Sequence, residues 1–173
     1  SDIQYRIQAA DGTWHWLRDR FIGVESHDGD VVLEGLATDI TERTEAQQAL
    51  ARNRAFIQAI LDKDPATIFV KDEEGRFVLV NRTCAELFGT TPDALVGKRN
   101  VDVLSDPSEN EGYSAVDREV IATGVPRTLE EYHARRDGGH TWFLTTKTRI
   151  ALPDGRPGVL GVCVDLTERK DAE

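Results

Sequence analysis

Three segments near the C-terminal end of the chain carry alternating side chains that could bind a small molecule. In an extended strand, every second side chain lies on the same face. The side chains that share a face are Glu131, His133 and Arg135; Phe143, Thr145 and Lys147; and Gly161 with Cys163. If these faces point inward, they line a cleft of mixed polarity, whose buried Glu, Arg and Lys need partners. Such a cleft indicates an anionic or polar metabolite as its ligand.

A simpler interpretation places Glu131, Arg135 and Lys147 at the rim of the sheet, where water solvates their charges. Cys163 is then a small apolar residue of the core, as is Cys84, and the spacing of the two cysteines does not support a disulfide. The sequence does not decide whether these charged side chains lie in the cleft or at the rim of the sheet, and the rim is the simpler expectation.

The composition argues against several classes of function. With 31 Asp and Glu against 21 Lys and Arg, the net charge is -10, which opposes binding to nucleic acid and to anionic membrane surfaces. The two cysteines and four histidines form no metal motif, and free cysteines predict a reducing, cytoplasmic location. The sequence has no phosphate-binding loop, hydrolase elbow or zinc-protease motif, so we expect no enzyme activity in this chain.

The chain contains one sequence module twice, because residues 11–46 align without a gap on residues 137–172. The eleven identities fall at turns and strand ends, and in the first copy they are Asp11, Gly12, Trp16, Asp28, Gly29, Gly35, Asp39, Thr41, Glu42, Arg43 and Ala46. The second copy has about ninety residues of its own before it, whereas the first copy has ten. This arrangement predicts a fragment of a tandem array whose first domain is truncated.

The first copy predicts three antiparallel strands and a helix. The strands cover residues 5–9, 14–24 and 31–38, and the helix covers residues 42–61. Its apolar seam consists of Ala46, Leu50, Asn53, Ile57 and Ile60. This heptad-like spacing predicts a homodimer contact, in which the polar Asn53 could set the register.

A capped junction joins the last strand to the helix. Asp39 and Thr41 stand where their oxygens can accept hydrogen bonds from amides three residues further on, and Asp165 and Thr167 are the matching pair in the second copy. Because a capped junction is stiff, we predict that these four residues relay a shift of the strand into the helix. An ordinary helix cap is the alternative.

The residues that follow predict a complete second domain over 63–169. The predicted elements are strands over 67–71 and 76–80, a short helix capped by Asn81, a helical turn over 92–97, a longer helix over 113–123, and strands over 128–136, 141–152 and 158–164. The order is two strands, a helical middle and three strands.

These residues resemble the PAS family of sensor domains over all of 63–169, and the first copy looks like the last three strands of another such domain. The motifs that carry the resemblance are the turn 72–75 before Val80 and Asn81, the segments 87–89 and 94–97, the turn 137–138 before Trp142, and the run 161–169. The resemblance implies an α+β fold, with short helices over one face of a five-stranded antiparallel sheet. It also implies a ligand cleft between sheet and helices, for which Tyr113 is a further candidate.

Two cofactors of this family do not fit the residues present. A LOV-type flavin sensor needs a cysteine shortly after Gly97, but the chain reads Lys-Arg-Asn-Val over 98–101. The amide side chains that would hold a flavin are replaced by His133, Phe143 and Cys163. A haem sensor would need a histidine within 106–124, and that segment contains none. We therefore expect neither haem nor photoactive flavin and leave the cofactor open.

The resemblance implies the sensory input module of a histidine kinase or cyclic-dinucleotide enzyme, which binds a small molecule and relays the signal to an effector. A ligand-free module that dimerises and relays motion is the alternative. The predicted divisions are truncated-domain strands over 1–40, a linker helix over 41–62, the complete domain over 63–169, and the start of the next helix over 170–173.

Overall fold

The computed structural model describes residues 2–27, 30–104, 107–134 and 138–172. The chain divides into two compact units, Ser1–Phe56 and Ile57–Glu173. None of the helices within these described residues is both long enough and apolar enough to cross a bilayer.

The first unit contains an antiparallel meander of three strands, as predicted. Strands β1 (Asp2–Gln8), β2 (Trp14–His27) and β3 (Asp30–Asp39) pair in the order β1-β2-β3. The turn between β1 and β2 places Gly12 at a φ of 88°, a conformation that favours glycine, and Asp11 Oδ1 accepts a hydrogen bond from the amide of Thr13. Helix α1 (Thr41–Leu61) follows β3, and no residue of this fully described helix is buried.

The second unit has the predicted α+β architecture. Its elements in order are β4 (Thr67–Lys71), β5 (Phe77–Val80), α2 (Arg82–Leu87), α3 (Pro92–Leu95), α4 (Asn100–Val103), α5 (Pro107–Thr123), β6 (Arg127–Ala134), β7 (His140–Ala151), β8 (Pro157–Asp165) and α6 (Thr167–Asp171). The five strands form one antiparallel sheet in the order β5-β4-β8-β7-β6.

Two helical features of this unit differ from the predictions. Helix α5 begins at Pro107 rather than at Tyr113, because proline suits the first turn of a helix. Helix α4 was not predicted at all, since its four residues are too few to show a period. At its start, the carboxylate of Asp102 accepts a hydrogen bond from the amide of Arg99, the residue that precedes the helix.

The main core lies between the sheet and the short helices. It consists of Phe69, Phe77, Val80, Cys84, Leu95, Phe143 and Cys163. A smaller cluster of Val120, Ile121 and Val159 packs α5 against β8. These contacts bury large apolar side chains, which is the main favourable term in folding.

Asn81 is a fully buried polar residue that joins several elements. Its Oδ1 accepts from the amides of Ile68 and Cys84, both at 3.0 Å, and its Nδ2 donates to the carbonyls of Leu61 and Ala66. The predicted cap of α2 is therefore confirmed. The same side chain also ties the end of α1 to strand β4, which sequence spacing did not indicate.

Candidate functional site

The predicted inward face of the sheet is buried in the structure. The strand register sets Thr145 opposite Cys163 and Glu131 opposite Phe143, and Lys147 has only 1% of its surface exposed. The interpretation that Glu131 and Lys147 lie at the rim in water is therefore wrong. Helix α5 covers this end of the sheet and supplies the partners that make burial possible.

Four charged side chains meet beneath α5, and we call them the charge cluster: Lys71, Asp117, Glu131 and Lys147. Lys71 Nζ donates to Asp117 Oδ2 at 3.1 Å, and Lys147 Nζ lies 2.8 Å from Asp117 Oδ1. The second contact is out of line for a hydrogen bond, so its attraction is electrostatic. Lys147 Nζ also lies 3.5 Å from Glu131 Oε1. One carboxylate thus bridges two buried ammonium groups.

The environment of Lys71 opposes its positive charge. Burial lowers the pKa of Lys71, the nearby charge of Lys147 acts in the same direction, and Asp117 opposes both. Its ammonium also lies 4.6 Å from the ring centroid of Phe69 and 5.0 Å from that of Phe77, positions where aromatic rings attract a cation. The carboxylate and the two rings together allow a charged lysine to be buried.

An inner cavity of about 60 Å³ lies between the charge cluster and the aromatic core. It is lined by Thr67, Phe69, Lys71, Phe77, Cys84, Leu87, Phe88, Asn100, Leu104, Tyr113, Glu131, His133, Phe143, Lys147 and Cys163. Phe88 packs edge-on to His133, with ring centroids 6.1 Å apart. The lining therefore combines aromatic and aliphatic side chains with charged and polar ones.

A second space, the outer cleft, has a volume of about 220 Å³ and is open to solvent. It lies between the acidic turn 72–75 and helices α4 and α5, and it shares Lys71 and Asn100 with the inner cavity. Asp117 also lines the outer cleft. Lys71 and Asp117 thus stand between solvent and the inner cavity.

The structure brings most of the predicted ligand-binding residues together. Those that line the inner cavity are Tyr113, Glu131, His133, Phe143, Lys147 and Cys163. Thr145 is fully buried but does not line it, and Arg135 lies outside the described residues. Tyr113 also accepts a hydrogen bond from Lys147 Nζ through its carbonyl oxygen at 3.3 Å.

Sequence reasoning missed Lys71, Asp117 and the phenylalanines of β4 and β5. A signal for Lys71 was present in the sequence, because it directly follows the apolar run Ile68 to Val70. A lysine at the end of a buried strand needs a charged partner unless the strand reaches the protein surface there. A signal for Asp117 was present as well, because it follows Val116 and lies at helical spacing from Val120 and Ile121, on the apolar side of α5.

The two cysteines lie in the core as free thiols. Burial raises the pKa of Cys84 to about 12 and that of Cys163 to about 11. We expect both thiols to resist a thiol-specific reagent at about pH 8 and to react only after urea unfolding, because the thiolate is the nucleophile.

The same thiols make stability depend on pH. Because folding raises both pKa values, their contribution is complete below the unfolded thiol pKa of about 8.5 and is lost as the pH rises towards 11 and 12. Urea unfolding at several pH values should show this fall, and Cys84→Ala should reduce it. Rapid labelling of the folded chain would contradict the assignment.

Both strand-to-helix junctions use a backbone amide of the repeated tryptophan. In the first unit the amide of Trp16 donates to Thr41 Oγ1 at 2.8 Å, and the amide of Thr41 donates to Asp39 Oδ1 at 2.8 Å. The predicted caps three residues further on are wrong, because the neighbouring strand engages Thr41 and the amide of Thr44 donates to the carbonyl of Ile40. Hydrogen bonds from Thr41, helped by His15, lower the pKa of Asp39 to about 2.

The second junction repeats this arrangement. The amide of Trp142 donates to Thr167 Oγ1 at 3.0 Å, and the amide of Thr167 donates to Asp165 Oδ1 at 2.8 Å. The carbonyl of Trp142 accepts from the amide of Leu166 at 2.7 Å. Strand β7 and the start of α6 are therefore joined through both backbone groups of one residue, Trp142.

Comparisons with known proteins agree with this architecture. A family model described as the PAS fold matches residues 61–171. The uncharacterized protein y4lL of Sinorhizobium fredii is 28% identical over 174 residues, which cover 99% of this chain and 21% of that protein. The virulence sensor protein BvgS of Bordetella pertussis is 29% identical over 142 residues, which cover 79% of this chain and 11% of that protein.

A solved structure matches as well. The PAS domain of Bordetella pertussis BvgS superposes with a TM-score of 0.56 and 26% identity, covering 70% of this chain and 91% of that chain. The chain spans about a fifth or less of the length of the two relatives named above.

Proposed function

This chain belongs to the PAS family, and on that premise we propose that its second unit is the sensory input module of a signal-transduction protein. A small molecule binds in the inner cavity, and the junction at Asp165 and Thr167 passes the resulting shift to the helix that follows. The effector is of the histidine kinase or cyclic-dinucleotide enzyme type. We assign no catalytic step to this chain.

One observation carries this proposal, namely that strand β7 contributes to both the cavity and the junction. Phe143 lines the inner cavity, and its backbone pairs with Asp165. The preceding residue, Trp142, donates its amide to Thr167 and accepts from Leu166. A ligand that displaces the Phe143 ring would therefore move hydrogen bonds that hold the start of α6. No flexible linker intervenes to absorb the displacement.

Native mass spectrometry of the purified chain, with a thermal-shift screen across metabolite classes, tests ligand binding. We expect a non-covalent adduct of small-metabolite mass and a rise in melting temperature with the same compound. A bare chain in native spectra, together with no shift in any class, would contradict the sensor function.

The Thr167→Val variant then tests the relay. We expect the affinity for that compound to stay within about two-fold, because Thr167 does not line the cavity. The Lys170 amide donates a hydrogen bond to the carbonyl of Leu166. We expect the change in its hydrogen-exchange rate on ligand binding to disappear in this variant. Thr146→Val, on the exposed face of strand β7, makes the same substitution away from the junction and should keep that response. An unchanged response in Thr167→Val would remove the junction from the pathway.

A ligand-free relay is the second candidate, and the surface of α1 favours it. Leu50 is 71% exposed in the single chain, and Ile57 and Ile60 are also exposed apolar residues, with Asn53 exposed on the same helix. A stripe of this kind suits a helix-to-helix dimer contact. Native mass spectra that show a dimer without a bound small molecule would favour the relay function over the sensor function.

A further inference from the structure

The four charges of the charge cluster cancel, and three of its members, Lys71, Glu131 and Lys147, line the inner cavity. Among the described residues the cluster holds two ammonium groups, on Lys71 and Lys147, and two carboxylates, on Asp117 and Glu131. An added anion or cation would leave one buried charge without a partner, which is strongly unfavourable, whereas a neutral molecule keeps the balance. The cluster therefore discriminates against charged ligands of either sign.

The approach to the cavity discriminates in the same direction. The outer cleft that shares Lys71 with the cavity is lined by five carboxylates, on Asp72, Glu73, Glu74, Glu111 and Asp117, and by three basic side chains, on Lys71, Arg99 and Arg118. The excess of negative charge, in a chain of net charge -10, repels anions before they reach the cavity.

Lys71 has donor capacity on the side of the cavity. An ammonium group carries three donors, and within the described part of the chain Lys71 Nζ donates a hydrogen bond to Asp117. The group also lies over the rings of Phe69 and Phe77, which line the cavity. A carbonyl oxygen placed between these rings can therefore accept a hydrogen bond from a charged donor.

The remainder of the cavity sets the size and polarity of the ligand. Its volume of about 60 Å³ holds on the order of four to six water-sized groups. Apolar side chains, among them Leu87, Phe88 and Phe143, make up much of its lining. The body of the ligand is therefore short and apolar.

From these observations we infer that the inner cavity takes a small neutral carbonyl compound, whose oxygen accepts from Lys71 and whose short apolar body lies among the phenylalanines. This inference rests on the proposed sensor function and names the ligand class for the same site. The sequence allowed either an anionic or an uncharged polar ligand, and this inference selects the uncharged one.

The test titrates the isotopically labelled chain with matched amide and carboxylate pairs at about pH 8, where the carboxylates are fully ionised. The probes are butyramide with butyrate and isobutyramide with isobutyrate, and the readout is the backbone amide spectrum. We expect each amide to shift the resonances of Phe69, Lys71 and Phe77 with a Kd at least about ten times lower than that of its carboxylate.

Two variants that each remove one negative charge show which carboxylate sets the preference for amides over carboxylates. Glu131→Gln leaves the cluster with one excess positive charge, so we expect the preference to move at least about ten-fold towards the carboxylates. Glu130→Gln removes a charge on the same strand where the side chain is half-exposed and paired with Lys170, so the preference should stay as in the parent chain. Asp117→Asn makes the same change within the cluster and serves if Glu131→Gln does not fold.

Three results would overturn the inference. Tighter or equal binding of the carboxylates by the parent chain would show that the cluster does not select neutral ligands, while leaving the sensor function intact. The same preference in Glu131→Gln and Glu130→Gln would show that the cluster does not set it. Binding of neither member of either pair would exclude the class, and the metabolite screen proposed above would then decide the sensor function independently.

Discussion

Asp117→Ala lowers the free energy of unfolding of the second unit by about 3–5 kcal/mol, because it leaves two buried ammonium groups with Glu131 as their one carboxylate in the charge cluster. The Asp117 side chain is only 7% exposed, so water cannot replace the lost carboxylate. Urea unfolding followed by the fluorescence of Trp142, in a background where Trp14 and Trp16 are phenylalanine, measures the loss.

A control on the same helix separates burial from charge. Glu119 pairs with Arg127 at 3.0 Å, but both side chains are about half exposed, so Glu119→Ala should cost less than about 1 kcal/mol. A double variant, Lys71→Met with Asp117→Leu, removes one charge of each sign and leaves the pair of Lys147 and Glu131. We expect it to be more stable than Asp117→Leu alone. Equal losses for Asp117→Ala and Glu119→Ala would contradict the account of the cluster.

Gly161→Ala destabilises the second unit by about 1–3 kcal/mol, because no space exists for a methyl group beside Phe69. The two residues are paired across β4 and β8, and a Cβ on Gly161 would lie 2.1 Å from Cζ of the Phe69 ring. That ring belongs to the core and lines the inner cavity, so its displacement also alters the site. The same urea unfolding measures the loss.

The internal repeat supplies a matched control for this substitution. Gly35 is the equivalent glycine of the first copy, and its nearest neighbour, the carbonyl oxygen of Arg20, would lie 3.3 Å from an added Cβ. Gly35→Ala should therefore be tolerated with a small adjustment of the strand. If Gly161→Ala also left stability unchanged, the ring of Phe69 would not be what requires glycine there.

Local patterns predicted most of the fold. Turn residues, strand alternation and the helical period act within a few neighbouring positions, so the strands of both units and helix α1 could be placed from the sequence. Helix α4 and the first turns of α5 were missed, because four residues carry no period and the turn before Tyr113 contains polar residues without an apolar stripe.

The candidate site could be predicted only in part. Alternation correctly placed His133, Phe143 and Lys147 on one face, since that inference needs only the period of a strand. Whether the face met water or another element depended on α5, whose Asp117 is 46 residues from Lys71 in the chain. No local rule joins two residues at that separation.

By itself, the sequence determined the repeated modules and the alternating faces of the strands, because each pattern depends on residues close together in the chain. Only the tertiary structure decided that Lys147 and Glu131 are buried, that Asp117 neutralises two lysines, and that the Trp142 amide holds Thr167. The physical reason is that burial and charge pairing are properties of surfaces brought together by folding, and the same glycine or lysine has a different energy in each environment.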